Sequence, residues 1–79
     1  MPAAIVLINA EVGKESEILR RVCNLPEVKK GYLVYGVYDV AVTVSAETME
    51  GLEGVITEKV RKVPGIRSTL TLIVSRECK

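Results

Sequence analysis

The eight residues Val22-Cys23-Asn24-Leu25-Pro26-Glu27-Val28-Lys29 return, 38 positions further on, as Val60-Arg61-Lys62-Val63-Pro64-Gly65-Ile66-Arg67. Each copy is an apolar helix end, a Leu/Val-Pro step, one turn residue, then a branched aliphatic followed by a cation. Upstream, the same offset lays Ile18 on Ile56 and Val6 on Val44. Coincidences of single apolar residues are cheap; co-registered prolines with four matching neighbours are not, and a fixed offset marks a repeated unit. Because the residue before a proline avoids the α region, each phrase ends a helix and opens a strand. The chain therefore reads as two units, each strand, helix, strand.

Working outward from the prolines, Ala3–Asn9 is a continuous apolar run with branched residues, the pattern of a strand covered on both faces. Gly13 breaks it, and Lys14–Asn24 carries Ile18, Leu19, Val22 and Leu25 at helical spacing. Glu17 with Arg20 and Arg21 supplies the charge pairs of its solvated face. Cys23, inside this pattern, reads as a small buried apolar side chain. Lys29–Tyr35 and Tyr38–Ser45 are expected strands, joined at Gly36-Val37 by a two-residue type II′ turn. Thr48 is the expected N-cap of a second helix that runs to about Lys62. Met49, Leu52, Val55, Ile56, Val60 and Val63 form its buried stripe. Gly51 and Gly54 each cost about 1 kcal/mol against alanine inside a helix, and point to close packing on the sheet or another helix. Lys59, Arg61 and Lys62 crowd the last turn, where positive charge suits the helix dipole. Pro64-Gly65 then turns the chain into a last strand, Ile66–Val74. Two such units with right-handed crossovers place the first and third strands centrally in a four-stranded antiparallel sheet, with both helices on one face. That is the α+β, ferredoxin-like βαββαβ arrangement.

A chain of 79 residues makes one small domain, of the size that buries only roughly 60–65% of its unfolded surface. Yet its hydrophobic fraction is 48% and its mean hydropathy +0.26. Ile5, Val6, Leu7 and Ile8 put large apolar groups on both faces of the first strand. Leu70, Leu72 and Val74 make one face of the last, and Thr69, Thr71 and Ile73 the other. Helices can cover only one face, so the expected solution is a two-fold dimer, sheet against sheet or edge against edge.

Whole classes of chemistry are absent. The chain has no histidine and two cysteines, Cys23 and Cys78, without metal-binding spacing, whereas a structural zinc site takes four such ligands. There is no phosphate-binding glycine loop and no Ser/His/Asp set, so neither an enzyme nor a cofactor is expected. Eleven basic and ten acidic residues interleave to a net charge of +1, with no continuous basic block that would track phosphates. The sheet lacks the paired aromatics that stack RNA bases. No run is long enough to span a membrane and no leader pattern opens the chain, which sets the expectation of a soluble cytoplasmic protein.

Two stretches depart from plain strand patterning. In Tyr35-Gly36-Val37-Tyr38-Asp39, the acid opens an otherwise apolar strand, Val40-Ala41-Val42. Such a carboxylate either stays in water at the sheet end or pairs with a cation, such as a ligand ammonium. Ser68-Thr69-Leu70-Thr71 repeats hydroxyls at the strand period; threonine there serves β-propensity, or donates to a small polar ligand.

These stretches, together with Val63-Pro64-Gly65-Ile66-Arg67 and the closing Ser68-Thr69-Leu70-Thr71-Leu72-Ile73-Val74, resemble the effector-binding (RAM) domain of the Lrp/AsnC transcriptional regulator family over essentially the whole chain. The resemblance implies dimers that face their sheets together and assemble into higher rings such as octamers. It also implies small effectors, typically amino acids, bound where dimers meet. Position by position it carries a ligand-binding role onto Tyr35, Gly36, Tyr38 and Asp39 of the hairpin and onto Thr69 and Thr71 of the last strand. Val37 stands where a polar residue is common, and Ile66 where valine is usual. Full-length members begin with a helix-turn-helix domain, whereas this chain starts with its first strand. The expectation is thus a single stand-alone domain over residues 1–79 that senses an amino acid, does not bind DNA specifically by itself, and acts on full-length regulators through mixed oligomers or competition for effector. The other reading is a structural oligomerisation domain with a vestigial pocket.

Overall fold

The computed structural model describes all 79 residues. In chain order the elements are β1 (Ala3–Ala10), α1 (Glu15–Cys23), β2 (Val28–Leu33), β3 (Val40–Ser45), α2 (Met49–Val55) running on into a π-helical segment (Ile56–Val60), and β4 (Ile66–Ile73). The sheet order is β2-β3-β1-β4 and all pairings are antiparallel, the ferredoxin-like arrangement. The first and third strands are central, as the two-unit reading requires.

The repeat survives in atomic detail. Val22 and Val60 are both fully buried, and each carbonyl accepts from the N–H three residues on, Leu25 at 3.0 Å and Val63 at 3.3 Å. Val28 and Ile66 then enter their strands partly buried against the core. In both copies the next residue is an extra one. Val28 pairs with Val44 and Lys30 with Thr43, so Lys29 has no partner on β3. Ile66 pairs with Ala10 and Ser68 with Asn9, so Arg67 has none on β1. Each is a β-bulge, two residues opposing one.

Alternation along the central strands sorts the apolar residues. Ala4, Val6, Ile8 and Ala10 of β1 and Val40, Val42 and Val44 of β3 point to the helices, where Ile18 and Val22 of α1 and Leu52, Val55, Ile56 and Val60 of the second helix meet them. None of these 13 core residues is more than 8% exposed, and none is polar. The register sends Ile5, Leu7, Tyr32, Ala41, Leu70 and Leu72 to the opposite, open face.

Five local expectations need correction. The β2–β3 connection is not a two-residue turn: the strands separate after Leu33, and the loop closes on a bond from the Val34 N–H to the Asp39 carbonyl at 2.9 Å. Gly36 at its tip has φ +148°, which favours glycine. Cys23 is exposed rather than buried; it is the last residue of α1 and its Sγ lies beside Gly31. A Cβ on Gly31 would stand 2.5 Å from Cys23 Sγ and 2.9 Å from Leu19 Cδ1. The closely packed glycine is therefore Gly31, in a strand; Gly54 faces open space and Gly51 meets only Thr48 and Ala46. Finally, Thr48 does cap α2, its Oγ1 accepting from the Gly51 N–H at 2.9 Å, but the helix widens after Val55. The Arg61 N–H donates five residues back to Ile56, which keeps both Ile56 and Val60 inward. Met49, assigned to the buried stripe, is exposed.

Candidate functional site

Asp39 stands where β3 leaves its partner. The regular β1–β3 ladder ends at Ile8–Val40. One residue out, the Asp39 N–H donates to the Ile8 carbonyl at 3.0 Å, and its carboxylate Oδ2 accepts from the Ala10 N–H at 2.9 Å. The side chain thus supplies an acceptor that β3 no longer offers, just where β4 bulges on the other side of β1. An unsatisfied amide in this partly buried place would cost about 1–3 kcal/mol. Asp39 is therefore neither a free turn residue nor, within one protomer, paired to a cation. Its position borders two hollows: one is lined by Asn9, Ala10, Arg67 and Ser68, the other by Glu15, Ser16, Leu33, Val34 and Tyr35. In the first, the Asn9 amide donates to Ser68 Oγ at 3.2 Å. Each hollow is a little over 300 Å³, at the small end of what holds a ligand.

Thr69 and Thr71 lie elsewhere. Their register partners Ile8 and Val6 are core residues, so both hydroxyl side chains face the helix layer. They line a hollow of about 460 Å³ with Glu53, Ile56, Thr57, Arg61 and Ile73. The π-helical segment borders this hollow, contributing Ile56 and Thr57, with Arg61 at its C-cap. Of the six residues assigned from the hairpin and last strand, Tyr35 and Asp39 share one hollow and Thr69 and Thr71 another. Gly36 and Tyr38 line neither. One protomer does not bring the hairpin acid and the threonine pair together.

Residues 3–79 match the family model described as the Lrp/AsnC ligand binding domain. The chain belongs to that family. It is 36% identical over 72 residues, 91% of its length, to an uncharacterized HTH-type transcriptional regulator of Pyrococcus abyssi, of which it spans 46%. The chain thus covers about half the length of the curated relatives it matches. The crystal structure of hypothetical protein PHS023 from Pyrococcus horikoshii superposes with a TM-score of 0.90 at 43% identity, covering 98% of this chain and 93% of that one. Escherichia coli AsnC superposes with a TM-score of 0.89 at 25% identity, covering 96% of this chain and 52% of that one. The similarity is to a regulatory ligand-binding domain rather than to an enzyme family. No helix of this Lrp/AsnC domain is long and apolar enough to cross a membrane.

The linear pattern brings none of several polar neighbours in these hollows together. Asn9 and Ser68 face each other only because β1 pairs with β4 across 59 residues. Glu53 and Arg61 look like the solvated side of an amphipathic helix, and only the proximity of β4 makes them neighbours of Thr69 and Thr71 in the Lrp/AsnC domain.

Proposed function

We propose that this domain senses a small zwitterionic effector, an amino acid, and couples its binding to the assembly of dimers into a larger ring. The observation that carries the reading is the division of the matched residues between two separate places on one protomer. A ligand that engages both Asp39 and the threonine pair needs the hairpin of one copy beside β4 of another, so binding and assembly become one equilibrium. The open sheet face supplies the dimer contact, since Ile5, Leu70, Leu72 and Tyr32 there are 36–49% exposed and form a continuous apolar surface. The domain then acts in the cytoplasm on full-length regulators of its own family, by mixed assembly or by competing for effector, without specific DNA contacts of its own.

A thermal-shift panel of the twenty amino acids, followed by calorimetry and light scattering with the best of them, tests this. A ligand at about 100 times its dissociation constant adds roughly 2.7 kcal/mol of stability. Asp39→Asn keeps an acceptor for the Ala10 N–H and removes the charge; it should weaken the ligand by about 1.5–3 kcal/mol, the range for hydrogen bonds to charged groups. Thr69→Val should weaken it less. A panel without a hit would favour a purely structural oligomerisation domain, a reading supported by the bond that already occupies Asp39 Oδ2.

A further inference from the structure

Four of the eleven cations and none of the ten acids converge on one hollow between the two helices. Arg20, Arg21 and Asn24 line it from α1, and Lys59 and Lys62 from the end of the second helix, over Val63. The linear sequence hides this because the cations lie far apart in the chain. Two pairs of lining residues are equivalent in the repeat, Arg21 with Lys59 and Asn24 with Lys62.

Cations near helix C-termini have an ordinary explanation in the macrodipole, equivalent to roughly half a charge per helix end. Two such ends do not balance four cations. Acids outside the hollow hold two of them in place. Glu17 Oε2 accepts from Nε and Nη2 of Arg21, both at 3.2 Å, and Glu27 Oε2 accepts from Lys59 Nζ at 3.0 Å. The pair is partly exposed, and the other Glu27 oxygen has no hydrogen-bond partner within the chain. Arg20 and Lys62 have no acidic partner. The result is two positioned cations and two unpaired ones around about 380 Å³.

We infer that this hollow is a binding site for a compact polyphosphate group, free or as the phosphate chain of a nucleotide. A ligand that bridges cations of both helices needs anionic groups at both ends. Phosphate oxygens match the fork of an arginine as well as the point charge of a lysine. The site lies on the helix layer, away from the open sheet face and from Asp39, and is independent of the effector reading.

Calorimetry on the whole chain at low ionic strength, with inorganic triphosphate, is the test. The expected result is a saturable isotherm that weakens as salt is added. The Arg20→Gln/Lys62→Gln double variant should lose about tenfold or more in affinity, which allows for the screening of exposed charges. Arg76→Gln/Lys79→Gln removes the same charge from the exposed C-terminal tail and should bind as the parent does. Both variants change exposed side chains only, and unchanged melting curves verify that each is folded. ATP binding with adenosine silent would place the recognition on the phosphates and extend the site to nucleotides; triphosphate binding with ATP silent would confine it to free polyphosphate. No saturable heat, an equal loss in both double variants, or displacement of triphosphate by short duplex DNA at lower concentration would overturn the proposal.

Discussion

The two faces of the sheet are built from the same residue types and end in opposite states. Ile8, pointing to the helices, is fully buried; Ile5, three residues away on the same strand, is 36% exposed. Val42 is buried while Leu70 and Leu72 stand almost half in water. The helix face is complete within one chain, with every core side chain touching others of its own protomer. The open face has the composition of a core and lacks its second layer, and contiguous apolar surface of this kind marks an interaction site. Composition alone therefore overstates what one copy can bury, and the excess has a definite address.

Substitutions on the two faces should separate them. The largest effect is expected from Leu70→Glu with Leu72→Glu. In an interface each unpaired charge would cost several kcal/mol, so light scattering should show the assembly reduced to monomers with circular dichroism unchanged. An unaltered mass would remove the open face from the interface. Next is Ile8→Ala, which leaves a cavity in the finished face and should lower the unfolding free energy by about 2–5 kcal/mol. Leu7→Ala, its neighbour on the open face, should approach that cost only at concentrations where the protein is assembled, so denaturation at two concentrations reads the difference directly. Gly31→Ala should cost about 1–3 kcal/mol by overpacking against Cys23 and Leu19. Cys23→Ala added to it should recover much of that loss.

The smallest expected effect is on acid stability. The hydrogen-bonded Lys59 ammonium holds the Glu27 carboxyl below its usual range. A carboxyl with a lower value folded than unfolded contributes stability at pH values above the unfolded value. That contribution is lost as pH falls through the folded one. Lys59→Met should shallow the fall in stability toward acid pH without altering the plateau at neutral pH beyond the lost surface pair. Urea denaturation across the carboxylate range would show it, and an unchanged acid limb would detach Glu27 from the effect.

How much of this was legible without coordinates depends on the range of the interactions concerned. The proline phrases, the Thr48 cap and the continuous apolar run of β1 are local, and each led to the correct element. The hairpin was misread because Gly36-Val37 satisfies a local turn rule, whereas the real loop opens at Val34. It does so where the Asp39 carboxylate has an engagement with Ala10, 29 residues away. Gly54 and Gly31 illustrate the same limit. The helical glycine breaks a strong propensity rule and the strand glycine a weaker one, yet it is at Gly31 that a Cβ would meet Cys23 and Leu19 of α1. Site residues divide in the same way: Asp39 and the hydroxyl run Ser68-Thr69-Leu70-Thr71 depart from local pattern, whereas Asn9 joins its hollow only through the pairing of β1 with β4, and Arg61 only through the second helix lying beside β4.

The extra residues Lys29 and Arg67 have a consequence for how the edge strands are phased. Side chains alternate with a period of two, so one unpaired residue reverses the parity of everything beyond it. Before the bulge, Val28 and Ile66 point inward and join the core; after it, Lys30 and Ser68 point outward, and Leu70 and Leu72 follow Ser68. Were the ladder regular, with Arg67 paired like its neighbours, Ile66 and Leu70, four residues apart, would fall on the same side, and either the core would lose its isoleucine or the open face its leucines. A chain with two surfaces to furnish from one strand thus changes step once, at the same point in each half.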